Sequence, residues 1–336
     1  MSTIWGQRAR NATVAIVLGA IVGAGLGFAA SAEPAPAYPA KPIRLVVPFA
    51  PGGITDILAR ALGQRLAEAW GQQVVVENRP GANSQVGAEV VARAAPDGYT
   101  LMVSADTTFV MNPHLYGKAT YDALADFVPV SGLGISPQAL VVHPGGPAAD
   151  VSGLVGLART KPGELNYGTF GIGSSGHLNI ELLQSMTGTK FTAVHYKGAA
   201  PALTDVIGGH IQMMIVSIGL VTQPWQAGQL KVLGFGSTAR IAQFPDVPTI
   251  AESGLAGYEA ASWYGLVAPH GTPREIVDKL SAETQRIFGD ATFREKFLAP
   301  NMIFSIAGSP EQFAARIGTD YAKWGKVIKD ANVKVE

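Results

Sequence analysis

The order of patterns in the sequence predicts an α/β protein with two lobes, the second inserted into the first. Short runs rich in β-branched residues alternate with stretches whose apolar residues recur at helical spacing, which is typical of a mainly parallel sheet covered by helices. The chain has 336 residues, enough for two domains of roughly 100–200 residues each. Hydrophobic residues make up 47% of it and allow a large core.

The first half of the chain has the pattern strand, helix, strand, helix, strand. Residues 43–48 form a mostly apolar run rich in β-branched residues and predict a buried strand, which a Pro-Gly-Gly turn ends. Residues 55–70 have apolar side chains at helical spacing, with Asp56 in the first turn. The predictions that follow are strands at 73–77, 100–103, 127–132 and 138–143, and a helix that Asn83 or Ser84 caps and that ends near Ala94.

The second half repeats this alternation and then returns to the first lobe. Residues 144–147 contain only Pro and Gly, which predicts a crossing between the lobes there. The predicted strands are 165–169, 191–196, 211–216, 231–235 and a returning strand at 263–269, and the predicted helices are 151–160, 177–187, 199–208, 219–227, 273–289 and 310–328. We therefore expect lobe 1 at 38–142 plus 258–336 and lobe 2 at 143–257, with a hinged cleft between them.

The N-terminus has the pattern of a secretory signal peptide. Arg8 and Arg10 precede the apolar residues 12–30, and Ala30-Ser31-Ala32 matches a small-x-small cleavage site. The alternative is an uncleaved membrane anchor, because the apolar run approaches the length that spans a bilayer. The many Gly and Ala residues and the cleavage site favour a cleaved signal peptide at 1–32, and therefore a periplasmic protein.

Composition excludes several classes of function. The chain has 0 cysteines, which rules out disulfides, thiolate catalysis, iron–sulfur clusters and Cys-type zinc sites. The 25 basic residues balance the 25 acidic ones without blocks of like charge, which predicts no surface for nucleic acid. The 6 histidines are scattered and lack metal-ligand spacing. We expect no cofactor, no metal and no nucleic-acid partner.

Several predicted strand-to-helix loops are rich in Gly, Ser and Thr. Ligands of open parallel sheets bind beyond the carboxyl ends of the strands, and each loop also supplies a helix N-terminus, whose free N–H groups and dipole attract an anion. The loops are residues 48–56, 81–85, 104–108, 169–177 and 197–201. Their candidate ligand-binding residues are Gly52, Gly53, Asp56, Asn83, Ser104, Asp106, Thr169, Gly173, Ser174, Ser175 and His177. The alternative for any single loop is ordinary helix capping.

The charges on these loops favour reversible binding of a carboxylate. Apart from Lys197 they contain no Lys or Arg, so we expect neutral donors to hold most of a bound carboxylate. Asp56 and His177 each have a second interpretation, as ordinary residues of a first helical turn. Asp106 is expected either to bind a ligand hydroxyl or amine or to stabilise a turn.

Two enzyme hypotheses have less support. Residues 171–176 match G-x-G-x-x-G, the pattern of a dinucleotide site, but residues 191–197 contain no Asp or Glu to hold a ribose. Ser174 and Ser175 lie near His177, but without a G-x-S-x-G elbow their spacing forms no catalytic triad.

Motifs along the whole chain after the predicted signal peptide match one family in order. They are Tyr38-Pro-Ala-Lys-Pro-Ile43, Val47-Pro-Phe-Ala-Pro-Gly-Gly53, Val76-Glu-Asn-Arg-Pro-Gly-Ala82, Pro96-Asp-Gly-Tyr-Thr-Leu101, Tyr196-Lys-Gly198, Pro245-Asp-Val-Pro-Thr249, Trp263-Tyr-Gly265 and Gly271-Thr-Pro273. With this set the sequence resembles the Bug-type receptors, the extracytoplasmic solute-binding proteins of tripartite tricarboxylate transporters. Each motif alone is unspecific, whereas their order across the chain is specific.

The resemblance implies a type II periplasmic binding fold of the Venus-flytrap kind, with a ligand cleft between the lobes. It implies that the first loop, including Phe49 and Ala50, and residues 169–175 grip a ligand carboxylate, partly through ordered water. It also implies delivery to membrane permease subunits, or in some relatives to a sensor protein. Ser217 follows the strand at 211–216 where many relatives have Asp, so we count it as a candidate and expect ligand recognition to differ there.

These observations leave three hypotheses for the function. The first is a monomeric receptor for a mono-, di- or tricarboxylate, with or without an amino or aromatic group, which performs no catalysis. The second is a ligand-binding accessory protein of a sensor, which differs in its partner and not in the chemistry of its cleft. The third, with less support, is an exported hydrolase.

Overall fold

The computed structural model describes an α/β chain over residues 38–117, 119–146, 148–196 and 198–335. The predicted signal peptide at 1–32 and Lys197 lie outside the described residues. Contacts join Pro39–Glu336 into one compact unit. Within the described ranges, every helix is too short or too polar to serve as a membrane span.

Strands and helices alternate along the chain as the sequence predicts. In chain order the strands are β1 (Ile43–Val47), β2 (Val74–Asn78), β3 (Thr100–Ala105), β4 (Phe127–Val142), β5 (Asn166–Thr169), β6 (Thr192–His195), β7 (Met213–Ser217), β8 (Lys231–Phe235), β9 (Ala261–Pro269) and β10 (Phe304–Ser305). The helices are α1 (Ile54–Trp70), α2 (Gln85–Ala92), α3 (Asn112–Leu115), α4 (Val151–Thr160), α5 (Ser175–Thr187), α6 (Ala199–Ile207), α7 (Ile218–Gln226), α8 (Arg274–Gly289), α9 (Ala291–Phe293) and α10 (Pro310–Asp330).

The strands are ordered β2-β1-β3-β9-β4-β7-β5-β6, and β8 and β10 also pair with β4. β1 is parallel to β2 and β3, and β5 is parallel to β6 and β7, whereas β4 and β9 run antiparallel to their neighbours. This mixed sheet with helices confirms the predicted two-lobed α/β class of fold. The residue limits of the two lobes stay a prediction.

β4 is a 16-residue strand shared by both lobes. It pairs with β9 as far as Pro137 and with β7 from Gln138 onward. The prediction of two separate strands, at 127–132 and 138–143, is therefore wrong. The sequence predicted the crossing between the lobes at residues 144–147. In the structure β4 changes its pairing partner earlier, within the strand itself.

Irregular pairing explains how β4 continues through residues that usually end a strand. Its register with β9 shifts between Pro129 and Ser131 and again between Gly132 and Gly134. Each shift takes a residue out of the ladder, which allows Pro and Gly inside a strand. A Cβ placed on Gly134 would overlap the side chain of Ile303, so only glycine fits against this neighbour.

The sequence missed several short helical segments and the short strand β10. Thr107–Met111 forms a π-helical turn that continues into α3, and Arg294–Leu298 forms a second one after α9. The first segment contains β-branched residues and Pro113, which have low helix propensity, so its pattern did not predict a helix. Asp106 starts it by accepting a hydrogen bond from Thr107 N at 2.8 Å.

Aromatic packing fixes β9 beneath α10. Trp263 of β9 is 1% exposed and stacks on Phe109 with ring centroids 5.9 Å apart. Phe313 of α10 meets the Trp263 ring edge-on at 5.5 Å. Such pairs contribute about 0.5–1.5 kcal/mol beyond the burial of their area. They give the strand that follows lobe 2 a rigid attachment to lobe 1.

Candidate functional site

The candidate loops leave from common edges of the sheet. β1 and β3 are parallel neighbours, as are β5 and β7, so the loops after each pair start at the same edge. β4 connects the two groups of strands. The sequence prediction that all five loops face one cleft stays a prediction.

Asp56 fixes the shape of the loop after β1. Its Oδ2 accepts hydrogen bonds from Gly52 N and Arg60 Nε, both at 3.0 Å, and its Oδ1 accepts one from Asn78 Nδ2 at 2.9 Å. Asn78 also donates to the carbonyl of Phe49 at 3.1 Å. Asp56 is 4% exposed, so its carboxylate holds the loop in place and does not face solvent. No sequence pattern indicated the role of Asn78, which lies on the next strand.

The pairing of Asp56 with Arg60 limits the negative charge at the start of α1. Arg60 also lies 2.9 Å from Asp56 Oδ1. Burial acts to raise the pKa of Asp56, but the hydrogen bonds from Arg60, Gly52 and Asn78 outweigh it and lower the pKa below its ordinary value. Asp56 is thus ionised and paired at neutral pH, and it repels an approaching anion less than an isolated carboxylate does.

The tip of this loop is open. Ala50, Gly52 and Gly53 are exposed. Gly52 has φ 87°, a left-handed conformation that favours glycine, whereas Gly53 has φ −79° and a Cβ there would have Ala50 O, at 4.0 Å, as its nearest described neighbour. Among the described residues, no side chain caps α1. The N–H groups of its first turn are left for another acceptor.

A buried polar network joins the loops after β2 and β3. Ser104 Oγ lies 2.6 Å from Thr108 Oγ1, which donates to Ser84 Oγ at 2.7 Å. Asn112 Nδ2 donates to Ser84 Oγ at 3.1 Å, and Asn83 Nδ2 donates to Asn112 Oδ1 at 2.8 Å. Ser104 is fully buried, and the half-buried Asn83 is the member nearest to solvent. Ser84 occupies the N-cap position of α2, but within the described structure no side chain makes a capping hydrogen bond there, so Asn83 and Ser84 serve the network and not a side-chain cap.

Asp106 is a buried carboxyl group with one unpaired oxygen. It is 1% exposed, and its Oδ1 accepts the bond from Thr107 N, whereas Oδ2 has no partner in the part of the chain described. Burial raises the pKa of Asp106 to about 7, although the hydrogen bond from Thr107 opposes the shift. The turn-stabilising interpretation of Asp106 is confirmed. Its contact with a ligand stays a prediction.

Thr169 holds the turn that follows β5. Its Oγ1 lies 2.8 Å from His195 Nδ1 and accepts a hydrogen bond from Gly171 N at 3.2 Å. Thr169 is fully buried, while His195 is exposed at the end of β6. Burial lowers the pKa of His195, and the neighbouring His177 adds to the effect. His195 was not predicted, because its link to Thr169 depends on strand pairing.

His177 shapes the next turn from within α5. Its Nδ1 accepts a hydrogen bond from Gly173 N at 3.1 Å, so in the neutral ring the proton lies on Nε2. Nε2 is 3.5 Å from Glu181 Oε1, which also accepts from Tyr167 OH at 2.7 Å. Burial acts to raise the pKa of Glu181, but the bonds from His177 and Tyr167 lower it. Ser174 caps α5 by accepting from His177 N at 3.4 Å, as the capping interpretation predicts.

Contacts next to β4 join loops of the two groups. Gly173 has φ 73° and lies against α3, where an added Cβ would be 2.6 Å from Leu115 Cδ1. Ser217 Oγ is 2.9 Å from Ser136 Oγ of β4. Ser175 also hydrogen-bonds to a β4 side chain. Ser175 and Ser217 therefore lie against β4, and Gly173 lies against α3. Leu115 was missed because its helix was not predicted.

Several helices start without a side-chain cap. Within the described ranges these are α1, α2, α3, α6, α7 and α8, of which α1, α2, α6 and α7 follow strands or strand-to-helix loops. Uncapped N–H groups and the helix dipole together favour an anion. No group of His, Asp and Glu among the described residues is arranged to hold a metal ion. The chemistry available at these loops is hydrogen bonding to an oxyanion.

Loops of this kind on two lobes that share a strand define a two-lobed solute-binding protein. The chain belongs to the family described as "Tripartite tricarboxylate transporter family receptor" (TctC), whose model matches residues 58–333. Protein BugT of Bordetella pertussis is 34% identical to it over 320 residues, which are 94% of this chain and 98% of BugT. The resemblance to the Bug-type receptors is confirmed.

Solved structures agree with this membership. The structure described as R. palustris Rpa4515 with adipate is 36% identical, with a TM-score of 0.78, and the match covers 89% of this chain and 100% of that one. MatC (Rpa3494) from Rhodopseudomonas palustris with bound malate is 31% identical, with a TM-score of 0.74 and coverage of 87% and 100%. This chain is thus a solute-binding receptor by family and by fold.

Proposed function

We propose that the protein is a periplasmic receptor that captures a small carboxylate and delivers it to the membrane permease of a tripartite tricarboxylate-type transporter. The observation that carries the proposal is the loop after β1. There the exposed Gly52 and Gly53 precede the uncapped start of the 17-residue helix α1. A helix start of this kind offers N–H donors and a positive dipole to a carboxylate.

Neutral donors on the other candidate loops favour reversible capture. The negative charge of Asp56 is paired with Arg60. Asn83 and Ser174, both half-buried, supply an amide and a hydroxyl. Hydrogen bonds to a charged group contribute about 1.5–3 kcal/mol each, so a few of them bind a carboxylate without a fixed cation. Receptors that hand over their ligand need such a balance.

The ligand class agrees with what is described for the relatives. One similar structure holds adipate and another holds malate, and both are dicarboxylates. We propose a mono-, di- or tricarboxylate for this chain and place dicarboxylates first. Ser217, which contacts Ser136, offers a hydroxyl in place of an ionised acceptor.

We infer that the receptor is not an enzyme. Ser174 Oγ accepts from the backbone of His177, and the ring accepts from Gly173 N, so this serine and histidine are not joined as nucleophile and base. Thr169 does bond to His195, but its hydroxyl is fully buried and cannot reach a substrate. An exported hydrolase is therefore the weaker hypothesis.

The partner and the location complete the proposal. A signal peptide at 1–32 directs a monomer to the periplasm, where permease subunits receive the ligand. The sensor hypothesis predicts the same ligand with a different partner. Ligand binding is therefore the first property to test.

A thermal-shift screen of mono-, di- and tricarboxylates tests the ligand class. We expect at least one dicarboxylate to raise the melting temperature, since saturation at about 100 Kd contributes about 2.7 kcal/mol to stability. A neutral sugar and the corresponding dimethyl ester serve as controls, because neither carries a negative oxygen. A shift with the sugar and none with any carboxylate would contradict the proposal. Turnover of the ester would favour the hydrolase hypothesis.

A further inference from the structure

Gln138 connects the start of α5 to both strands that pass between the lobes. Its Nε2 donates to Ser175 Oγ at 3.1 Å and to Ser262 Oγ at 2.8 Å. Its Oε1 accepts from Asn179 Nδ2 at 3.0 Å. Ser175 and Asn179 lie one turn apart on α5, and Ser262 lies on β9. One side chain, 2% exposed, thus joins β4, β9 and the first turn of α5.

The main chain of Gln138 strengthens this connection. Its N–H donates to Ala260 O at 3.0 Å, and its carbonyl accepts from Gly236 N at 2.7 Å. Ala260 N donates to Gly236 O at 2.8 Å, and this bond joins the residue after β8 to the residue before β9. Gln138 is also where β4 changes its partner from β9 to β7. The residue therefore lies where the two groups of strands meet.

We propose that Gln138 is a positioning residue that orients the first turn of α5 and thereby sets the affinity for the ligand. The inference rests on the proposed function, because it requires residues 169–175 to contact the ligand. Loss of the Gln138 amide leaves Ser175, Ser262 and Asn179 with unmade hydrogen bonds in a buried region, where such losses cost most. Asn179 Oδ1, which has no partner among the described residues, is an acceptor and does not replace the donor that both serines lose.

Gln138→Leu is the direct test, because it keeps the volume and removes the hydrogen bonds. In the ligand-free protein, hydrogen exchange should become about tenfold faster for the first-turn amides of α5, such as Leu178 N, which bonds to Ser174 O at 3.0 Å. The Kd of the best dicarboxylate should rise about tenfold, mainly through faster dissociation. A substitution that only lowers the stability of the protein would change neither the exchange rate of these amides nor the Kd.

Ser131→Ala is the matched control on the same strand. Ser131 is fully buried and donates to Gly308 O at 2.9 Å within lobe 1, so its loss should lower stability and leave α5 and the Kd unchanged. Gln138→Glu is the conservative variant, because burial favours the protonated carboxyl group, which can donate to one serine and accept from Asn179. It should return the exchange of α5 to within about threefold of the wild-type rate.

The exchange and affinity measurements separate the outcomes. A folded Gln138→Leu protein with wild-type exchange in α5 and an unchanged Kd would overturn the proposal. Should that variant not fold, Ser262→Ala and Asn179→Ala remove single bonds, and unchanged exchange in both overturns it as well. If no carboxylate binds the wild-type protein, the proposed function fails, while the exchange comparison still decides the role of Gln138.

Discussion

Gly53→Val tests whether the start of α1 binds the ligand, and the structure makes it a clean test. Gly53 has φ −79°, which any residue adopts, and among the described atoms an added Cβ has only Ala50 O, at 4.0 Å, near it. The isopropyl group therefore enters the space where a carboxylate would approach, without overlapping the protein. Gly52 is a poorer choice, because its φ of 87° adds about 1–2 kcal/mol of strain to any substitution.

The expected effects on stability and on binding differ in size. Valine at the N-cap is less favourable than glycine by about 1 kcal/mol or less, so the protein should stay folded. Blocking two hydrogen bonds to a carboxylate removes at least about 3 kcal/mol of binding free energy, which corresponds to a Kd more than about 100-fold higher. Affinity should thus collapse while stability changes little.

Titration calorimetry with the best carboxylate, beside thermal unfolding, measures both effects. Gly156→Val on α4 is the control, because Gly156 is also exposed and an added Cβ meets nothing within 4 Å there. Valine is slightly better than glycine inside a helix, so this variant should stay folded. Its affinity should be unchanged, because Gly156 is not on a loop proposed to bind the ligand. Retained affinity in a folded Gly53→Val protein would remove the loop after β1 from the binding site.

Other perturbations test the supporting residues. The hydrogen bonds of Asp56 lower its pKa below the ordinary 3.8, so their contribution is present above that pH and is lost as the pH falls through the lowered pKa. The difference in melting temperature between wild type and Asp56→Asn should therefore shrink in acid, and a constant difference from pH 7 to pH 2 would contradict this. Asp106 behaves oppositely: its pKa is raised from 3.8 to about 7, so ionisation destabilises the folded state increasingly as the pH rises, by up to about 4 kcal/mol. Asp106→Asn should gain stability relative to wild type between pH 4 and pH 8, and parallel pH profiles in thermal unfolding would refute the buried charge. Gly173→Ala places a Cβ 2.6 Å from Leu115 Cδ1 and should weaken ligand binding, with Leu115→Ala restoring part of it. Equal Kd values for the single and double variants would show that this contact does not affect binding.

Helices and parallel strands could be predicted because burial dominates their patterns. The helix predicted at 151–160 is α4, and it has the same limits in the structure, because its apolar residues alternate with exposed ones. β4 could not be predicted as one strand, because its Gly and Pro residues are compatible with a strand only through the register shifts opposite β9. Those shifts depend on packing against residues far along the chain, such as Ile303.

The site was predictable at the level of loops and not at the level of side-chain roles. Glycine-rich turns after strands indicated the loop after β1 and the turn at 169–177. That Asp56 supports its loop depends on Asn78, a residue 22 positions away. Similarly, the partner of Thr169 is His195, 26 positions away. Contacts between strands determine which side chains are held inward and which remain available to a ligand. Local sequence patterns do not encode these contacts.

The sharing of β4 by both lobes has a consequence for how the protein unfolds. β4 satisfies the main-chain groups of β9 at one end and of β7 and β8 at the other. A fragment cut on either side of it would carry a bare strand edge, which invites aggregation. Neither lobe is therefore an independent folding unit, and Pro39–Glu336 should melt in one cooperative transition despite its bilobal architecture.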